Sequence, residues 1–125
     1  IPVIAKKDDS LYEVIVNMFL SDVGSIFIID DDENLCGIVS RKDLLKATIG
    51  GADMNKMPIG MIMTRTPNII TVEKEDSVII VAKKIIEHEI DSIPVVENLD
   101  DNRCKIVGKI SKTNITKLFL EMVDN

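Results

Sequence analysis

Apolar residues recur at intervals of three and four in two stretches of the chain. Leu11, Val14, Ile15 and Met18 follow Asp9 and Ser10, and Val78, Val81, Ala82 and Ile85 follow Asp76 and Ser77. That spacing lines one face of a 3.6-residue helix. A Ser or Asp just before it offers an oxygen to the free N–H groups of the first turn. Two amphipathic helices are therefore predicted, the second at an offset of 67 residues from the first. Short apolar runs follow at the same offset, Ser25-Ile26-Phe27-Ile28-Ile29 and Ser92-Ile93-Pro94-Val95-Val96, and predict strands. Polar turns are expected at 30–34 and 97–103. Gly37-Ile38-Val39-Ser40 then matches Gly108-Lys109-Ile110-Ser111 at offset 71, which gives the second copy four extra residues. They are assigned to its hairpin loop, where insertions disturb least. A helix closes each copy, at 41–47 and 112–123, and Ile1-Pro2-Val3-Ile4 reads as a strand already under way.

The chain is thus read as α/β (α+β), built from two β-α-β-β-α motifs. A single copy of roughly 60 residues buries too little surface to be comfortable alone. Two copies packed through their sheets with pseudo-two-fold symmetry solve that problem. The expected boundaries are a first motif at 1–49 with a truncated N-terminal edge, a linker at 50–60 holding the breakers Gly50, Gly51 and Pro58, and a second motif at 61–125.

Composition narrows the function. Hydrophobic residues make up 46% of 125, aromatics only 3%, and Trp is absent. The core must be aliphatic, and a platform of rings for stacking single-stranded nucleic acid is lacking. A net charge of −6 repels phosphate backbones, so no direct nucleic-acid contact is expected of this piece. Any anion needs a local basic cluster. No apolar run approaches the roughly 20 residues of a membrane span, and no signal segment opens the chain. A cytoplasmic location is expected. Cys36 and Cys104 form no CxxC and read as buried thiols rather than zinc ligands or a disulfide. His88, between Glu87 and Glu89, reads as a solvated helix end. The acidic run 30–34 lacks the Gly and closing Glu of a calcium loop. Met54, Met57, Met61 and Met63 read by default as gap-filling core, with an adaptable surface for a partner as the alternative. No phosphate loop, dinucleotide fingerprint or nucleophile–base set is present, so neither an enzyme nor a resident metal or cofactor is expected.

The informative stretch is Gly37-Ile38-Val39-Ser40-Arg41-Lys42-Asp43. Ser-x-x-Asp at a strand-to-helix junction is a capping box, and those two residues alone need no further role. The cations change the balance. Arg41 and Lys42 fall in the first helical turn, where the helix dipole disfavours positive charge. Lys112 stands likewise after Ser111, with Lys109 on the strand before. An acidic chain that places cations at two positive helix ends has a use for an anion there. A carboxylate beside such a site suits a neutral diol, because it accepts two O–H hydrogen bonds. A phosphate next to a diol describes a ribonucleotide.

The repeat resembles the CBS family, whose pattern Gly, apolar, x, Ser/Thr, x, x, Asp occurs in tandem pairs called Bateman modules. Met63-Thr64-Arg65-Thr66-Pro67-Asn68-Ile69-Ile70-Thr71-Val72 is similar to the family's lead-in to a second repeat, and Ile90-Asp91-Ser92-Ile93-Pro94-Val95-Val96 to its second strand. The resemblance implies a regulatory sensor that binds ATP, ADP or AMP. Ser40, Arg41 and Asp43 would lie on ribose and phosphate. Asn68, Ile69 and Ile70 would form an adenine slot with the backbone of Ser92, Ile93 and Pro94. A second, weaker site would use Ser111, Lys112 and Asn114, with Ile4, Ser25 and Phe27 as its slot; Asn114 departs from the pattern by replacing the Asp. The resemblance also implies a homodimer. The stretch Ser40 to Lys46, the Ile49-Gly50-Gly51 turn and Ile62-Met63-Thr64-Arg65 further resemble the CBS region of bacterial helix-turn-helix repressors of gluconeogenic genes, in which a DNA-binding domain precedes the pair. Two alternatives stay open: a ligand-free dimerisation scaffold, and a pair sensing S-adenosylmethionine.

Overall fold

The computed structural model describes residues 3–66, 68–100 and 103–123. Ile1, Pro2 and Pro67, assigned above to strands or the lead-in, lie outside the described residues. The two apolar stripes become helices held by serine caps: Ser10 Oγ accepts the Glu13 N–H and Ser77 Oγ accepts the Ile80 N–H. The chain runs β1 (Ile4–Lys6), α1 (Leu11–Ser21), β2 (Ser25–Ile29), β3 (Leu35–Ser40), α2 (Arg41–Ile49), a 3-10 turn (Ile59–Met61), β4 (Thr64–Arg65), α3 (Val78–Glu87), β5 (Ser92–Asn98), β6 (Cys104–Ser111) and α4 (Lys112–Val123). This is a mixed α+β fold. One sheet has the order β1-β2-β3-β4, with β1 parallel to β2 and the other pairs antiparallel. The other is the antiparallel hairpin β5-β6.

The repeat carries into fine detail. Both hairpins bulge at the same place, between Ile28 and Ile29 and between Val95 and Val96. Both first helices end near a left-handed residue, Asp22 and Glu89. Ser25 Oγ and Ser92 Oγ, equivalent in the two copies, meet at 2.7 Å on the pseudo-two-fold axis. Each repeat has its own aliphatic core, around Leu11, Val14, Ile26 and Val39 in the first and Val81, Ile85 and Ile93 in the second. A third cluster of Phe27, Leu35, Ile69 and Val96 joins the two sheets.

Three features differ from the expectation. The four extra residues are not in the loop. Glu97 pairs with Lys105 and Asn98 with Cys104, so they form two added rungs of β5-β6. The turns then match, each closed by one N–H: Asp30 to the Asn34 carbonyl at 2.9 Å, Leu99 to that of Arg103 at 2.8 Å. Secondly, the second copy's first strand shrinks to a single bridge of Val72 with Val95. In the first copy the Phe27 N–H reaches the Val3 carbonyl at 3.1 Å. Pro94 stands where Phe27 stands and has no N–H to offer Ile70. Thirdly, the stretch 59–65 packs with the first repeat. Ile59 and Met63 enter its core and β4 pairs with β3. Gly37 permits this, because a Cβ there would overlap Met63 Sδ. Of the four clustered methionines Met63 is buried, while Met61 is 69% exposed and is not core.

Candidate functional site

The strand-to-helix junction of the first repeat is a closed capping box. Ser40 Oγ accepts the Asp43 N–H at 3.3 Å. Asp43 Oδ2 accepts the Ser40 N–H at 2.9 Å and the Ser40 hydroxyl at 3.0 Å. Oδ1 has no hydrogen-bond partner among the described residues, so the cap occupies only one of the two carboxylate oxygens. Arg41 and Lys42 are exposed at the start of α2, and among the described residues neither makes an ion pair.

A cleft of about 490 Å³ opens in front of this junction, between the repeats. It brings together Ser40, Arg41 and Asp43 from one copy with Asn68, Ile69, Ile70 and Ser92 from the other. Ile93 and Pro94 do not reach its wall. Ile93 is fully buried in the second core, Pro94 is also buried, and the Pro94 carbonyl already accepts the Val72 N–H at 3.1 Å. Because Pro94 offers no N–H, the Ile70 carbonyl, at the cleft, has no donor among the described residues.

The mirror cleft is smaller, about 390 Å³, and its lining differs. Ser111 and Lys112 are there, joined by Lys109, Arg41, Asp22 and Asp91. Asn114, Ile4, Ser25 and Phe27 are not. Asn114 is exposed, and its Oδ1 accepts the Ser111 N–H and hydroxyl at 3.0 and 2.9 Å. Phe27 is sealed between the sheets, and Ser25 lines the larger cleft. With Asn114 committed to the cap, no free carboxylate oxygen equivalent to Asp43 Oδ1 is offered to a diol.

Sequence reasoning left Gly24, His88, Glu89 and Asp91 out of the larger cleft, yet all line it, together with Lys42, which it had named as a cation at the helix start. His88 and Glu89 end α3, and the pseudo-two-fold turns that end toward the axis. Glu89 matches Asp22 and Asp91 matches Gly24 at offset 67, but neither pair carries a local sign of the cleft. Away from the cleft, desolvation alone would raise the Asp30 carboxyl. Hydrogen bonds from Asn34 and Asp32 and the Lys6 charge outweigh it and hold the group below its ordinary value. Burial pushes the Cys36 and Cys104 thiols up, and both are free. Among the described residues no His, Cys, Asp or Glu cluster fits a metal ion, and no helix is long and apolar enough to cross a membrane.

The chain belongs to the CBS-domain family: the family model matches residues 1–50 and 59–121. It is a CBS pair, a regulatory ligand-binding module. Among curated proteins it is 42% identical, over its whole length, to the transcriptional repressor CcpN of Bacillus subtilis, of which it spans 58%. Among solved structures it resembles the CBS domain pair of protein MJ0100 in complex with 5′-methylthioadenosine and S-adenosyl-L-methionine, at 31% identity and a TM-score of 0.79, covering 98% of this chain and 90% of that one. The fold is also that of the CBS domain protein PAE2072 of Pyrobaculum aerophilum, complexed with AMP, at 24% identity and a TM-score of 0.80 over 99% of this chain and 92% of that one.

Proposed function

We propose that this pair senses an adenosine nucleotide in the larger cleft and passes the signal to an attached DNA-binding domain of a repressor. The observation that carries the reading is the convergence, in one cleft, of a free carboxylate oxygen on Asp43, the cation of Arg41 and an apolar wall of Ile69 and Ile70. Asp43 Oδ1 would accept a ribose hydroxyl and Arg41 would meet a phosphate. The unpaired Ile70 carbonyl would take the adenine amino group. The likeness to the MJ0100 pair supports the nucleoside part, since both of its ligands carry adenosine. The 42% identity to CcpN supports the repressor part. Cytoplasmic action without catalysis follows from that role.

The cleft also ranks the ligands. Arg41 and Lys42 share its lining with the carboxylates of Asp43 and Glu89, and with Asp91, which is ion-paired to Lys112 at 3.3 Å. A wall without net positive charge disfavours a long phosphate chain, so AMP is expected to bind more tightly than ATP. Calorimetric titration with AMP, ADP, ATP and 5′-methylthioadenosine decides the matter. Saturable binding of AMP supports the reading. No heat from any of them at millimolar concentration overturns it and leaves a dimerisation scaffold.

Dimerisation is the second element of the proposal. Apolar grooves lie on the helical side of each repeat, one lined by Met18, Phe19, Leu44 and Leu45, the other by Ile85, Ile86, Ile115 and Phe119. Phe19 is 83% exposed and Ile86 75%. Patches this apolar mark interaction sites, and two grooves related by the pseudo-two-fold suit a second copy. Sedimentation is expected to show a dimer that Phe19→Asp converts to monomer. A wild-type monomer at tens of micromolar would remove this element.

A further inference from the structure

The two clefts share a wall: Gly24, Arg41, Asp91 and Ser92 line both. Gly24 and Asp91 are equivalent positions, and they face each other across the axis beside the Ser25–Ser92 pair. A Cβ on Gly24 would lie 3.2 Å from Asp91 Oδ2. Two aspartates there would force like charges together, so the axis holds a single carboxylate with a glycine opposite. That carboxylate has chosen a side. Asp91 Oδ1 lies 3.3 Å from Lys112 Nζ, whereas the backbone bond from the Lys112 N–H to the Asp91 carbonyl, 2.9 Å, has its counterpart in that from the Arg41 N–H to the Gly24 carbonyl, 3.1 Å. Arg41, the equivalent of Lys112, is engaged by no carboxylate among the described residues.

We infer that Asp91 acts as a built-in counter-anion for the smaller cleft: by holding Lys112 it limits the pair to one anionic ligand, bound in the larger cleft. The smaller cleft is otherwise the more cationic chamber. Arg41, Lys109 and Lys112 outnumber Asp22 and Asp91 there. Lys109 has replaced the equivalent Ile38, and no carboxylate stands at the Asn114 position. A phosphate entering it must displace Asp91 from Lys112 and then sit beside the released carboxylate. In the larger cleft Arg41 is available without any exchange. Asp91 is a positioning residue, acting through Lys112, and the class of ligand it keeps out is a phosphate monoester. The inference rests on the proposed use of the larger cleft as a nucleotide site.

Titration with AMP, with amide NMR shifts of Ser40 and Ser111 reporting the two clefts separately, tests it. Wild type is expected to shift Ser40 at low AMP and Ser111 only weakly. Asp91→Asn keeps the shape and removes the charge. It should tighten the Ser111 response by about tenfold, the gain expected when a like charge a few ångströms from a phosphate is neutralised. Asp91→Glu should retain the wild-type pattern, and Lys112→Met added to Asp91→Asn should abolish the gained response. A merely structural Asp91 would weaken both responses and produce no gain. If Ser40 responds in every form while Ser111 is indifferent to Asp91→Asn, the inference fails and the functional reading survives. If AMP shifts neither amide in any form, both fall together.

Discussion

Replacing Phe27 by alanine is expected to destabilise the chain by about 3–5 kcal/mol, the range for removing a buried aromatic ring. Phe27 is 1% exposed on β2 and sits with Leu35, Ile69 and Val96 between the two sheets. Neither repeat can close over the gap alone, because the cluster draws Phe27 and Leu35 from one copy and Ile69 and Val96 from the other. Small domains carry only about 5–15 kcal/mol in total, so the variant should lie near its unfolding threshold. Urea denaturation followed by circular dichroism measures the change. One transition, moved to much lower urea, is expected, because the shared cluster couples the copies. Two separate transitions, or a loss below about 1 kcal/mol, would show that the repeats stand independently and that the inter-sheet cluster adds little.

Asp43→Asn should weaken AMP binding about tenfold while leaving stability nearly unchanged. The molecule supplies the control. Asn114 occupies the equivalent position in the second repeat, and its amide oxygen accepts the same pair of hydrogen bonds from the Ser111 N–H and hydroxyl. An asparagine at position 43 can therefore keep the cap. Its single amide oxygen stays in the cap, so Nδ2 replaces the Oδ1 acceptor and the charge-assisted bond to the diol is lost; such a bond contributes at least about 1.5 kcal/mol, a factor of ten in affinity. Asp43→Ala removes the acceptor and the carboxylate half of the capping box, leaving the bond from the residue-43 N–H to Ser40 Oγ, and should lose up to about 1 kcal/mol of stability besides. Calorimetry and thermal melts on the same samples separate the effects. If Asp43→Asn binds AMP as wild type does, the carboxylate serves only the helix.

The fold was legible because the chain says everything twice. Helix spacing at Leu11 and Val78, serine caps at Ser10 and Ser77, and matched strands fix both copies from local signals. Ser40, Arg41 and Asp43 were legible because a strand, a cap and a cation fall within a few residues. What stayed hidden depends on how the copies meet. Glu89 and Asp91 join the cleft only because the pseudo-two-fold brings the far end of α3 to the axis, and no local pattern reports that. Ile93 and Pro94 have the reverse history. Their place in the strand was legible, but the alternation that turns Ile93 into the second core depends on what packs behind it. The added rungs at Glu97 and Asn98 were missed because polar residues on an exposed hairpin resemble a loop until their partners on β6 are known.

The substitution of Pro94 for the equivalent Phe27 has a reach beyond one lost bond. A duplicated chain that folded as two identical halves would look the same from either end. Nothing attached to it could distinguish one face from the other. A proline in one strand alone leaves an unpaired carbonyl at one cleft and a sealed ladder at its mirror. The halves differ in side chains as well, with a carboxylate at Asp43 in one and an amide at Asn114 in the other. From a backbone atom upward, the molecule has a front and a back.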